Sequence, residues 1–181
     1  MSLKHSLLAL LSLKSTTGYQ LSKEVEGSIN FFWKATHQQI YRDLTSLEQS
    51  AWVKHVQIAQ DEKPDKKVYS ITKLGTKELL RWMKEPSELP AHRDSFMIKL
   101  FLGNLIGASP LMEDISRQKK IYVDRQNQYR EIEKKYHQDF PSLSEEQQYR
   151  YMTLRRGILM GQAWLAWCEE VEGFLKTKES K

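Results

Sequence analysis

Between Gly18 and Gly75 the spacing of apolar residues changes period twice, and nothing else constrains this chain more. Gly18-Tyr19-Gln20-Leu21 opens a short helix over about residues 19–26, with Leu21 and Val25 on one face before Gly27 stops it. Residues 28–33 read as loop. Ile40, Leu44 and Leu47, at i, i+4, i+7, predict a further helix from about residue 34 to residue 49. After Trp52 the period drops to two. Val56 and Ile58 alternate with His55 and Gln57, and Tyr69 and Ile71 with Val68 and Ser70, which is a hairpin signal. Residues 60–67 between them are too polar to pair and contain Pro64, so they read as the hairpin tip. Thr72 is placed to cap a helix that Leu74, Leu79, Leu80 and Trp82 carry to about Lys84. Ahead of all this, Leu3, Leu7, Leu10 and Leu11 predict a first helix that ends near Lys14, broken by Thr16-Thr17-Gly18. The order is helix, turn, helix, two-stranded wing, helix.

The third helix has an outward face with a chemistry of its own. At 100° per residue, Gln38, Arg42 and Thr45 lie opposite the apolar stripe, flanked by Gln39 and Tyr41. Arg donates two bonds to guanine, Gln pairs with adenine, and Thr or Tyr reaches phosphate or a thymine methyl, so this set suits the major groove of a duplex. Charge points the same way. The net of +5 resides in residues 1–84, which hold thirteen Lys or Arg against eight Asp or Glu, whereas residues 85–181 hold fifteen of each. Lys34, Lys63, Lys66 and Lys67 are the cations placed to follow a phosphate backbone.

Pro86 and Pro90 mark a linker over residues 85–91, and past it every period is helical. Phe96, Met97, Leu100, Phe101 and Leu105 predict a short helix ending at Gly107. Ser109-Pro110 reads as the cap and first turn of a long polar helix reaching about His137, along which Tyr122, Tyr129 and Tyr136 recur every seven residues. Ser144-Glu145-Glu146-Gln147 is a capping box for the last helix. There Tyr151, Leu154, Ile158, Gly161, Leu165 and Cys168 alternate spacings of three and four, widened by Trp164, Trp167, Val171 and Phe174. So long an apolar face needs a large partner, and the simplest is a second copy of the chain.

Other classes find little support. His5, His37, His55, His92 and His137 have no metal-ligand spacing, and neither H-E-x-x-H, C-x-x-C nor a glycine phosphate loop is present, so no enzyme, cofactor or metal is expected. The single cysteine, Cys168, excludes an intramolecular disulfide and fits a reducing cytoplasm. The apolar run over residues 6–13 is too short to span a bilayer and no signal-cleavage pattern follows it, so no membrane is expected.

From residue 7 to residue 84 the chain resembles the winged-helix domain of the PadR family of bacterial transcriptional regulators. Gly18-Tyr19-Gln20-Leu21, Gln39-Ile40-Tyr41-Arg42-Asp43-Leu44 with Leu47-Glu48, and Val68-Tyr69-Ser70-Ile71-Thr72 leading to Gly75 carry the resemblance. The run from Arg93-Asp94-Ser95-Phe96 to Leu100-Phe101 and the two long helices after it resemble the C-terminal dimerisation domain of the larger subfamily. The family often places Gly or Ser just before the Gln-Ile-Tyr run and Gly before the wing strand; here these positions hold His37-Gln38 and Ser50-Ala51. The resemblance implies a mainly α protein with an α+β wing: a winged helix-turn-helix domain (1–85) and an all-helical dimerisation domain (86–181). It implies a homodimer on a pseudo-palindromic operator in double-stranded DNA, usually a repressor, with recognition helices about one turn of duplex (roughly 34 Å) apart. Members of the family can be released from DNA by small aromatic or amphipathic molecules, for which Phe96, Tyr122, Tyr129, Trp164 and Trp167 are the candidate pocket residues, the alternative being that these aromatics are core and interface packing. The alternative is a winged protein-interaction scaffold without specific DNA binding, and the basic balance of residues 1–84 favours DNA over it.

Overall fold

The structure, a computed structural model, describes residues 3–27, 34–59, 65–87, 93–136 and 140–179. The expected loop over residues 28–33, the wing residues 60–64 with Lys63, and His137 lie outside the described residues. The chain divides into two compact units, Met1–Leu89 and Pro90–Lys181.

The first unit runs α1 (Leu3–Leu13), β1 (Thr16–Thr17), α2 (Gly18–Gly27), α3 (His37–Gln49), β2 (Val53–Ile58), β3 (Lys66–Ile71) and α4 (Lys73–Met83). The sheet is antiparallel in the order β1-β3-β2. Its third strand is a departure from expectation. Thr16 and Thr17, read as a helix break, pair with Tyr69 and Val68, and Thr16 is buried on the sheet's inner side. Two residues are too few to show a period, so no sequence pattern announces this strand.

Lys66 and Lys67 are also not in the hairpin tip. They open β3, paired with Ile58 and Gln57. The ladder alternates, so Val53, His55, Gln57, Lys67, Tyr69 and Ile71 share one face and Lys54, Val56, Ile58, Lys66, Val68 and Ser70 the other. Val53 and Tyr69 are buried, whereas Val56 is 61% exposed and Ile58 49%, so the apolar pair of β2 lies on the outer face.

The core gathers Leu3, Leu7, Leu8 and Leu11 from α1, Leu21 and Val25 from α2, Ile40, Leu44 and Leu47 from α3, then Val53, Tyr69 and Leu79. Truncating any fully buried Leu of this set to Ala would cost about 2–5 kcal/mol. Of the α4 residues expected to extend the face, Leu79 is buried and Trp82 half-buried, while Leu74 and Leu80 stand exposed. Thr72 caps α4 as expected, its hydroxyl accepting from Gly75 N at 3.0 Å. The same hydroxyl donates to Ala51 O at 2.7 Å, and Thr72 N donates to Trp52 O at 2.9 Å. Gly75 leaves room for this joint, since a Cβ there would stand 2.1 Å from Trp52 O. Ala51, where the chain leaves α3 for the wing, holds φ +56°, a left-handed conformation that costs a non-glycine residue about 1–2 kcal/mol.

The second unit runs α5 (Ser95–Phe101), a 3-10 turn (Gly103–Leu105), α6 (Ala108–Glu133), 3-10 turns at Lys134–Tyr136 and Phe140–Ser142, and α7 (Glu145–Glu179). The short helix thus stops at Phe101 rather than continuing through Leu105; Asp94 starts it by accepting from Phe96 N at 2.9 Å. Ser109 is not a cap. Gly107 (φ +78°) precedes α6 and Ser109 sits in its first turn. Ser144 and Gln147 form the expected reciprocal box at the start of α7. Phe96, Leu111, Ile115, Cys168, Val171 and Leu175 make the core. Leu175 takes the place expected of Phe174, which is exposed. Gln126, buried between α6 and α7, donates to Gly157 O at 3.2 Å and lies where a Cβ on Gly161 would stand, so α6 and α7 meet closely there.

Gly75→Ala is expected to destabilise the first unit by about 3 kcal/mol, because backbone rather than a mobile side chain fills the space. Ala51→Gly should stabilise it by about 0.5–1 kcal/mol by relieving the left-handed residue. Urea unfolding checks both, and equal midpoints for the two variants would contradict the geometry of the joint.

Candidate nucleic-acid interface

α3 begins two residues after Ala35, at a capping box rather than at Lys34. Thr36 Oγ1 accepts from Gln39 N at 3.2 Å, and Gln39 Oε1 accepts from Thr36 N at 2.9 Å. Gln39 is therefore engaged through its oxygen in holding the helix start, and Lys34 stands exposed before it. Ile40, Leu44 and Leu47 are fully buried, while Gln38, Tyr41, Arg42 and Thr45 are exposed. The division read from the sequence is thus the physical one.

Contacts from neighbouring elements fix how α3 lies. His37 Nδ1 is 2.8 Å from Ser22 Oγ and its Nε2 is 2.7 Å from Glu26 Oε1, which binds the first turn to α2. The Tyr41 ring rests on Gly18, where a Cβ would be 2.7 Å from it. Lys4 Nζ donates to Ser46 Oγ at 2.6 Å, and Glu48 pairs with His55 of the wing. Arg42 Nε lies 3.5 Å from the largely buried carboxylate of Asp43, with its guanidinium head outward. Thr45 Oγ1 donates back to Tyr41 O at 3.1 Å. Hydrogen bonding from Lys23, then from His37, holds the Glu26 carboxyl below the usual range, and Glu26 in turn raises the Lys23 ammonium. Burial, then the nearby Glu48 carboxylate, raises the Tyr69 phenol.

On the wing, Lys66 and Lys67 are both exposed but on opposite faces of the sheet. Lys54, which the sequence reading passed over, shares the face of Lys66. The two-residue alternation held that signal.

In the second unit four of the five candidate pocket residues, Phe96, Tyr122, Trp164 and Trp167, pack on one another. Tyr122 stacks on Trp164 at 3.8 Å and 15°, Trp164 lies 6.2 Å from Trp167, and Trp167 meets the buried Phe96 edge-on at 6.1 Å. Tyr129 is buried against Gly157. Arg125 sits 5.3 Å from the Tyr122 ring centre. Burial pushes the Cys168 thiol up to about 11, which makes it a poor nucleophile. Among the described residues no cluster of His, Cys, Asp or Glu is arranged to hold a metal, and no helix is long and apolar enough to cross a membrane.

A buried stripe that turns a polar helix face outward, beside a three-stranded sheet whose β2–β3 hairpin is the wing, defines a winged helix-turn-helix protein. Residues 7–81 match the transcriptional regulator PadR-like family, and residues 92–176 match the virulence activator alpha C-terminal family. A probable transcriptional regulator of Mycobacterium tuberculosis, Rv1176c, is 34% identical over 98% of this chain and 100% of its own length. The virulence activator AphA of Vibrio cholerae is 35% identical, with a TM-score of 0.80 over 97% of this chain and 99% of its own. The negative transcriptional regulator PadR of Bacillus subtilis is 25% identical over 93% of this chain and 94% of its own. Its structures in complex with operator DNA (TM-score 0.81, 22% identity, 96% of this chain and 98% of that one) and with p-coumaric acid (0.76, 20%, 96% and 98%) share the fold. The chain belongs to the PadR-like family of transcriptional regulators. Its family and relatives are regulators, not enzymes.

Proposed function

We propose that this regulator binds a pseudo-palindromic DNA operator as a homodimer, reads it with α3, and represses transcription by occupying it. The observation that carries the reading is the split of α3 into a fully buried stripe and an exposed face of Gln38, Arg42 and Thr45. Gln39 and Tyr41 flank that face. Lys34, Lys63 and whichever of Lys66 and Lys67 faces the duplex supply sequence-independent attraction to phosphates. An operator that overlaps the promoter would block transcription when occupied, and the B. subtilis relative is named a negative regulator. AphA is named an activator, so a promoter reporter assay reads the sign: output is expected to fall on expression of the protein.

The dimer reading rests on apolar side chains that the second unit leaves uncovered. Phe101 is 86% exposed and Leu105 72%, with Ile98, Ile106, Leu159 and Met160 also open to solvent. Large apolar side chains left open in this way suit an association surface. Phe101→Glu is expected to shift the protein from dimer to monomer in sedimentation experiments and to weaken operator binding; an unchanged dimer would place the interface elsewhere.

An aromatic effector fits the same unit. The half-buried Tyr122–Trp164 stack is aromatic surface of the kind a planar ligand packs against, and the B. subtilis relative was solved with p-coumaric acid. Titration with p-coumaric acid should quench tryptophan emission saturably, lose most of the quenching in Trp164→Phe, and release DNA. Quenching without release would leave a pocket that is not an effector site.

The two classes of DNA contact separate by mutation. Arg42→Ala should cost about 1–3 kcal/mol on the preferred duplex and relax its sequence choice. Because Lys66 and Lys67 stand on opposite faces, alanine at one of them should reduce the salt slope by about one and at the other leave it unchanged. Anisotropy titrations at several salt concentrations measure both effects. Equal slope losses at the two lysines would contradict the strand register, and equal loss on random DNA for Arg42→Ala would contradict its reading role.

A further inference from the structure

We infer that Gln57 is a specificity-determining residue of the wing: the Asp65 carboxylate turns its amide so that the oxygen is presented to DNA, where it accepts from the 2-amino group of a guanine in the minor groove next to α3. Lys67, beside it, meets the phosphate ridge between the two grooves. This rests on the reading of α3 as the helix that meets DNA, and it assigns the wing's phosphate contact to Lys67 rather than to Lys66.

The wing passes α3 on one flank. Tyr41 and Glu48, seven residues apart, lie on that flank, between the buried stripe and the outward face. Glu48 pairs with His55 of β2. Burial first, then the Glu48 carboxylate and the Tyr41 phenol, raises the Tyr69 phenol, so the sheet face that carries His55 and Tyr69 is turned to α3. Gln57 and Lys67 are the next pair on this same face. Along β2, Val53 is buried, His55 is half-buried beside Glu48 and Gln57 is exposed, so the strand leads from the core past α3 into solvent. Two residues of strand carry Gln57 about 7 Å beyond His55. Lys54, Val56, Ile58 and Lys66 occupy the other face and point away from α3. The major groove, about 12 Å wide, takes one helix, so a sheet packed on that helix's flank lies over the neighbouring phosphate ridge and the minor groove beyond it.

Gln57 Nε2 donates to Asp65 Oδ2 at 2.8 Å. A carboxylate only accepts, so Asp65 fixes which end of the amide faces it, and the carbonyl oxygen is the end left for DNA. In the minor groove A·T and T·A pairs offer acceptors alone, whereas a G·C pair adds the guanine amino group, a donor. An outward amide oxygen therefore bonds to G·C and meets only other acceptors at A·T. Turned the other way, the same amide would donate and favour A·T, so the Asp65 contact decides what Gln57 reads. The Asp65 charge itself is repelled by phosphates, and Lys67, paired with Gln57 in the ladder, offsets it.

The test uses the full chain and a duplex selected by the protein from a random-sequence library, with each guanine replaced in turn by inosine. Inosine lacks only the 2-amino group, so it alters the minor groove and leaves the major-groove pattern intact. In anisotropy titrations wild type is expected to lose about fivefold at one guanine in each half-site, beside the α3 contacts, as suits one hydrogen bond. Gln57→Ala should bind the guanine and inosine duplexes alike. Asp65→Ala, which lets the amide turn, should lose the same discrimination while binding scrambled DNA more tightly. Lys67→Ala should reduce the salt slope by about one and Lys66→Ala leave it unchanged. Indifference of wild type to inosine at every guanine overturns the inference, as does wild-type discrimination in Gln57→Ala or in Asp65→Ala, or a slope loss at Lys66 instead of Lys67. Replacement of guanine by 7-deazaguanine, which removes the major-groove N7, tests the reading of α3 separately: wild-type indifference to it at every position overturns that reading, whatever inosine does.

Discussion

Everything the first unit presents to solvent depends on how α3 is seated. Ile40, Leu44 and Leu47 occupy one narrow stripe of the helix, and that stripe is fully buried among leucines from α1 and α2 and against Val53. A helix with only three such residues cannot be rotated without exposing one of them, at about 1.5–3 kcal/mol each. The hydrophobic effect thus sets the rotation of α3, and polar contacts set the rest. His37 fastens its start to α2, Tyr41 lies on Gly18, and Glu48 meets His55 of the wing. The outward face is oriented by the burial of the face opposite it.

The end of α3 is tied as tightly as its start. Ala51 turns the chain through a left-handed conformation into β2, and the carbonyls of Ala51 and Trp52 accept from Thr72, which also caps α4. One threonine therefore joins the end of α3, the wing and the last helix of the unit. Gly75 is required because the backbone passes where a side chain would stand. In the second unit Gln126 plays a similar part between α6 and α7, a buried amide placed over two glycines.

Much of this was legible in the sequence. The stripe of α3, the caps at Thr72 and Ser144, the period-two hairpin and the outward set Gln38, Arg42 and Thr45 all follow from spacing, because each depends on residues within a few positions of one another. What escaped is non-local. The pairing of Thr16 and Thr17 with β3 joins residues some fifty positions apart. Placing Lys66 and Lys67 in a strand required knowing that the ladder continues past the apolar residues, which polarity argues against. The start of α6 at Ala108 differs from the predicted one because Ser109-Pro110 carries a strong start signal that works equally well inside the first turn, where Pro loses no hydrogen bond. The capping role of Gln39 was hidden behind its position on the flank of the polar face; the Thr-x-x-Gln spacing from Thr36 held the clue.

Dimethyl sulfate protection of a selected operator by the full-length protein tests the central claim most directly, because it reports guanine N7 in the major groove. The account predicts two protected clusters about ten base pairs apart, related by the operator's dyad, both lost in Arg42→Ala while general duplex binding at low salt persists. A single cluster, or protection that is unchanged in Arg42→Ala, would contradict the seating of α3 as the reading helix of a symmetric dimer.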